Sequence, residues 1–165
     1  MRMETQQRPD VEQADASHIE AIVDLADRWR RDYRRHAPGF RDPAPDARER
    51  HRARVGAIVA DRRSGLALVA TRGSEPAGCL LAVLGPAADV YAPGGELARI
   101  DDFWVADPAD WWGAGAALLE EARPRLRALG AARIVVEAGG HDSPKQAFLW
   151  RSGLTLASER YQASL

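Results

Sequence analysis

In ADPADWWGAGAALLEEA (106–122), Gly113 and Gly115 stand one residue apart where a helix is expected to begin. A helix N-terminus exposes unpaired N–H groups and a partial positive charge, and glycine there lets a phosphate approach the backbone closely. The same spacing also opens an ordinary helix, so from these residues alone a phosphate grip and a plain turn both stay open. Just upstream, ARIDDFWV (98–105) reads as a strand that carries Asp101 and Asp102. On a regular strand neighbouring side chains point to opposite faces, so only one of the two carboxylates is expected to face a given cavity. The single cysteine, Cys79, lies inside the apolar run AGCLLAVL (77–84) and reads as a buried small hydrophobe rather than a nucleophile. One cysteine excludes an internal disulfide and a Cys-cluster zinc site, and His18, His36, His51 and His141 show no tight metal-ligand spacing. No metal is expected.

The elements that must position these residues follow from apolar periodicity. Residues 8–13 read as a short strand, and Ser17-His-Ile-Glu20 has the form of a capping box. Ile19, Ile22, Val23, Ala26, Trp29 and Tyr33 then recur at helical spacing to about His36. APGFRDPAPD (37–46) is a loop, and 46–62 a second helix with a thin stripe of Val55, Ile58 and Val59. LALVAT (66–71) and AGCLLAVL pair as a hairpin, and the strand 98–105 follows. After the glycines, Leu118, Leu119, Ala122, Leu126 and Leu129 keep helical spacing to Gly130 despite Pro124. ARIVVEA (132–138) predicts a central strand, 143–152 a short helix and LTLASERYQASL a closing strand. The order β-α-α-β-β-β-α-β-α-β describes a mixed α/β (α+β) domain, an antiparallel meander followed by crossover helices.

The chain has 165 residues, which fits one domain over 1–165. Its 23 basic and 24 acidic residues balance, so nucleic acid and membrane are not expected partners. MRMETQQRPD has no apolar signal core and no run reaches membrane-span length, giving a cytoplasmic protein as the expectation. Lys145 is the only lysine, and arginines concentrate in 28–63. That run reads either as a solvated helix face or as an entrance favouring an anionic ligand or protein partner.

In the order of its elements and at several motifs, the chain resembles the GCN5-related N-acetyltransferase (GNAT) superfamily, mainly over 98–154. There a strand ending in Val-x-x-Pro leads to Arg/Gln-x-x-Gly-x-Gly/Ala, whose amides wrap the pyrophosphate of acetyl-CoA. Val105-Ala-Asp-Pro108 and Asp110-Trp-Trp-Gly113-Ala-Gly115 match it in both glycines, with Asp110 at the Arg/Gln position. Asp142-Ser-Pro-Lys145-Gln-Ala-Phe148-Leu-Trp-Arg-Ser-Gly153-Leu154 is similar to the segment that contacts pantetheine and adenosine, with Leu149 where many members place a tyrosine acid. Ile100 to Val105 is similar to the fourth strand, where a carboxylate serves as general base through water.

The resemblance implies a sheet of six to seven mostly antiparallel strands flanked by about four helices. It also implies acyl transfer from acetyl-CoA or another acyl-CoA to an unidentified amine by direct attack in a ternary complex, with a homodimer left open. Asp101 is then the base, and Asp102 takes that role if the register differs by one. Phe103, Trp104, Val105, Trp111, Trp112, Gly113, Ala114, Gly115, Ala116, Asp142, Lys145 and Phe148 are the implied cofactor contacts. The alternative is a domain of this fold that binds acyl-CoA or a protein without catalysis, to which Asp110 and Leu149 are the pointers.

Overall fold

A computed structural model describes residues 8–36, 39, 42–88, 90–163 and 165. Its elements are β1 (Asp10–Gln13), α1 (Ile19–Tyr33), α2 (Ala47–Ala60), β2 (Gly65–Arg72), β3 (Glu75–Gly85), β4 (Glu96–Val105), α3 (Ala114–Ala128), β5 (Ala131–Val136) and α4 (Ser143–Arg151). Short 3-10 turns at Ala16–His18 and Pro108–Trp112 precede α1 and α3. Arg41 and much of the expected 37–46 loop lie outside the described residues.

The strands form one sheet in the order β1-β2-β3-β4-β5, antiparallel except for the parallel β4–β5 pair. The middle strands read as apolar runs because helices cover both their faces: Leu66 to Ala70 on β2 and Ala77, Cys79, Leu80, Leu81 and Ala82 on β3 are buried. On one face α1 contributes Ile22, Val23, Leu25, Ala26, Trp29 and Tyr33, all buried on its apolar stripe. On the other, α3 contributes Leu118, Leu119, Ala122 and Leu126.

Three expectations need correction. The sheet has five strands among the described residues rather than six to seven, because 154–163 runs without strand pairing. Its alternation breaks after Leu156, so it has no apolar face to bury, and Leu156 and Tyr161 are exposed. β5, expected to be central, is therefore at the sheet edge, with Arg133 and Val135 exposed. The entry to α1 is fixed by Asp15 rather than Ser17: its carboxylate accepts the Ser17 N–H at 2.8 Å, and His18 Nδ1 accepts the Asp15 N–H at 3.2 Å.

One feature of β4 reverses the reading of the aspartates. Leu81 pairs with Asp102 and Ala82 with Ile100, so Asp101 is an extra residue, a β-bulge. The bulge breaks the alternation, and Asp101 and Asp102 both turn toward Arg54 of α2, at 2.7 and 3.8 Å. Beyond it the alternation resumes. Trp104 stacks on Trp29, with ring centroids 5.2 Å apart, and meets Tyr33 edge-on, while Phe103 meets Trp111 and Phe148 on the opposite face.

The Trp29 indole N–H donates to the buried Val105 carbonyl at 2.5 Å, joining α1 to the end of β4. Trp29→Phe keeps the ring stack and leaves that carbonyl without its donor. The expected cost is about 1–3 kcal/mol, read from urea unfolding followed by circular dichroism.

Candidate functional site

Pairing between β4 and β5 runs from Glu96 to Ile100 and then ends, so residues 101–105 form an open strand edge. Backbone groups alternate sides along an antiparallel strand. The Ala106 N–H bonds the Ala77 carbonyl at 2.8 Å, which assigns Trp104 to the β3 side and directs the Phe103 and Val105 backbone groups to the side β5 has left. Tyr33, whose hydroxyl accepts the Gly139 N–H, ties α1 to the chain after β5 across this gap.

Lys145 enters the gap from α4. It is fully buried, and its Nζ lies 4.8 Å from the Trp104 ring, 5.6 Å from Trp111 and 5.8 Å from Phe103. Trp104 and Phe103 point to opposite faces, so a group close to both rings sits at the strand edge. The β3 edge is occupied by pairing, which leaves the open one. Asp142 caps α4, its Oδ1 accepting the Lys145 N–H at 3.3 Å. Asp142 Oδ2 and the Trp111 indole nitrogen are buried with no hydrogen-bond partner among the described residues. Both His51 ring nitrogens are orphaned as well; buried polar atoms are satisfied in most proteins, so such atoms mark places where a polar ligand fits.

At the bulge, Asp102 is mostly buried and Asp101 half-exposed. His51 Nε2 on α2 approaches Asp102 Oδ1 to 3.3 Å, and the Trp104 indole N–H donates to the same oxygen at 3.2 Å. Burial by itself raises the Asp102 pKa, but His51, Trp104 and Arg54 outweigh it and hold the carboxyl below the usual carboxylate range. The Cys79 thiol, buried beside this cluster, is pushed up by burial and then by Asp102, which keeps it protonated and inert.

At the N-terminus of α3 the carboxylate of Asp110 is buried and held by the Arg72 guanidinium in a two-pronged contact, with Nη2 to Oδ1 at 2.8 Å. Asp110 Oδ1 also accepts the Ala114 N–H at 3.3 Å, capping the helix. A Cβ on Gly113 would lie 2.2 Å from Asp110 Oδ1, and one on Gly115 2.7 Å from the Trp111 ring. Both glycines thus admit side chains of their own turn. A cavity of about 420 Å³ opens beside this turn, lined by Arg8, Arg72, Asp110, Trp112, Gly113 and Ala116 among others. Trp112 is exposed, with the Arg151 guanidinium over its ring, whereas Trp111 and Phe148 stack in the core.

The arginines of 28–63 are largely matched by local acids. Arg48 reaches Glu20, Asp24 and Asp27, Arg52 reaches Glu20, and Arg30, Arg34 and Arg50 pair with Asp27, Asp42 and Asp46. Sequence reasoning missed His51 and Arg72. His51 had a signal, since it stands one turn before Val55 on the apolar stripe of α2; Arg72, at the turn between β2 and β3, had none.

No family model and no curated protein matches the sequence. Solved structures do match the fold. AAC(6')-Iy in complex with the bisubstrate analogue CoA-S-monomethyl-acetylneamine aligns at TM-score 0.71 and 14% identity, covering 96% of this chain and 99% of that one. An aminoglycoside acetyltransferase from an uncultured soil metagenomic sample, in complex with sisomicin, aligns at 0.65 and 15%, covering 95% of each chain. A transcriptional regulator from Bacillus halodurans aligns at 0.67 and 18%, covering 95% of this chain and 99% of that one. The chain shares its fold with these structures, a mixed α/β domain that has, among the described residues, a five-stranded, mostly antiparallel sheet and four helices.

Two outcomes follow from this geometry. Gly115→Ala forces a methyl into the Trp111 ring and costs about 1–3 kcal/mol in urea unfolding whether or not a ligand binds. Asp102, with its carboxyl held low, contributes stability that is complete above the unfolded value of about 4 and is lost as pH falls through the lower folded value. Asp102→Asn therefore melts lower than wild type at neutral pH, and its Tm falls less than the wild-type Tm on acidification to about pH 2.

Proposed function

We propose that the chain is a single-domain acyltransferase that moves acetyl from acetyl-CoA to an amine by direct attack within a ternary complex. The observation that carries this reading is the open edge of β4 over 101–105, bordered by the buried polar groups of Trp111, Asp142 and Lys145. A pantetheine arm carries amides in an extended chain, and such a chain is recognised by adding to a strand edge. The Phe103 N–H and C=O and the Val105 N–H face that side, and Trp111 and Asp142 offer a further donor and acceptor.

The residues at the diphosphate end fit less simply. Gly113, Ala114 and Ala116 border the α3 N-terminus with Trp112, but the Asp110 carboxylate already accepts the Ala114 N–H. An incoming diphosphate must displace that carboxylate or bind beside it. Arg72 offsets the repulsion by neutralising Asp110 and by bringing a guanidinium to the same cavity, a cation that the local motif lacks.

Acetyl-CoA when bound supplies an activated acyl carbon; the chain supplies position and proton traffic. Asp101, half-exposed at the bulge and bridged to Arg54, accepts the proton that the acceptor ammonium must lose before its nitrogen can attack. Asp102 is engaged by His51 and Trp104 and holds α2 against β4. A second reading, an acyl-CoA binder without turnover, is favoured by the Asp110 carboxylate at the helix start and by hydrocarbon at Leu149.

Calorimetry with acetyl-CoA followed by thiol release with a panel of amines separates these readings. The transferase reading predicts both binding and release, and binding without release selects the binder. Asp101→Asn is expected to lower kcat/KM by about 100-fold or more. An unchanged rate removes Asp101 as the base.

A further inference from the structure

We propose that Lys145 is the catalytic acid of this site, the group that protonates the departing thiolate; the inference rests on the acyl-transfer reading above. Its Nζ is placed at the open edge of β4 by its approach to the Trp104 and Phe103 rings, which point to opposite faces of that strand. This is the stretch of edge along which a thioester would lie. The other protic groups that sequence could offer for the task point elsewhere. His141 and Ser143 are exposed, and Tyr161 is exposed with its hydroxyl on Glu159. The Tyr33 hydroxyl accepts the Gly139 N–H and its ring meets Trp104 edge-on, so it is the competing donor that the test must separate from Lys145.

Burying a lysine here has an energetic cost that packing does not require. A lysine ammonium in an apolar cluster loses hydration, and three ring faces return part of that loss. Methionine, one atom shorter, would fill most of the space without a charge. A position where an apolar side chain would pack better, yet a proton donor is kept, is one where local rules give way to function.

The step balances as follows. The acceptor nitrogen bonds to the acyl carbon as the carbon–sulfur bond breaks. The electron pair of that bond leaves on sulfur, which takes a proton from the Lys145 ammonium. The surplus proton of the acceptor passes to Asp101 and on to water, and water reprotonates Lys145. Among the groups near Lys145 are the Cys79 thiol, which feels its charge, and Asp142, which caps α4 through the Lys145 backbone N–H.

The test compares wild type with Lys145→Met, Lys145→Arg and Tyr33→Phe. Lys145→Met is expected to release thiol about 100-fold or more slowly, a loss well beyond its change in acetyl-CoA affinity by calorimetry, and to melt about 3–10 °C higher. Lys145→Arg, whose guanidinium stays protonated, is expected to turn over slowly and to lack the fall in rate at high pH that the proposal predicts for wild type. Thiol release by Lys145→Met at the wild-type rate overturns the proposal. So does a loss of rate matched by an equal loss of binding, or a loss that Tyr33→Phe reproduces in full while Lys145→Met does not. Wild type that neither binds acetyl-CoA nor releases thiol removes the acyl-transfer reading itself. Wild type that turns over alongside an active Lys145→Met removes only the role of Lys145.

Discussion

Everything at the candidate site depends on where β4 and β5 stop pairing. Five residues of parallel ladder hold the strands together up to Ile100, the bulge at Asp101 twists β4, and the edge from there to Val105 is left without a strand neighbour. An open edge in the middle of a sheet is a liability in water, because unpaired backbone groups must find partners. The chain manages it from both faces. From α1, Trp29 takes the Val105 carbonyl and Tyr33 reaches across to Gly139; from α4, Lys145 fills the gap under Trp104. The aromatic groups that frame the opening are thus also what keeps it from closing or drawing in a strand.

The N-terminus of α3 illustrates how one arrangement can be satisfied in two ways. A helix start wants negative charge, and here the chain provides it from Asp110, with Arg72 as counter-charge. Gly113 lets the carboxylate lie against the backbone, and Gly115 lets Trp111 turn inward onto Phe148. The glycine spacing has a complete structural explanation before any ligand is considered. Any anion that binds there competes with a side chain already in place, so this end of the site is tuned by the strength of an internal ion pair.

Much of the fold was legible because its signals are periodic. The α1 stripe, the hairpin of β2 and β3, and the run into α3 all carry spacing that burial reproduces. What failed depended on breaks in a period or on distant partners. The bulge puts both aspartates on one side, and no local composition announces it; only the register against β3 does. LTLASERYQASL begins with the right alternation and loses it, which a short window reads as strand. Arg72 is far from Asp110 in sequence, so nothing local announces that this charge is matched from the end of β2. The site was readable as a set of residue types and not as a set of contacts.

The distribution of positive charge has one more consequence. The chain has a single lysine, and that lysine is fully buried, so every basic side chain exposed to solvent is a guanidinium or an imidazole. Guanidinium nitrogens stay protonated and do not attack carbonyls at ordinary pH. The outer surface therefore offers reactive acyl compounds no lysine nucleophile. Amine-directed reagents become a reporter of the interior, because a side-chain adduct can form only when the gap between β4 and β5 admits the reagent.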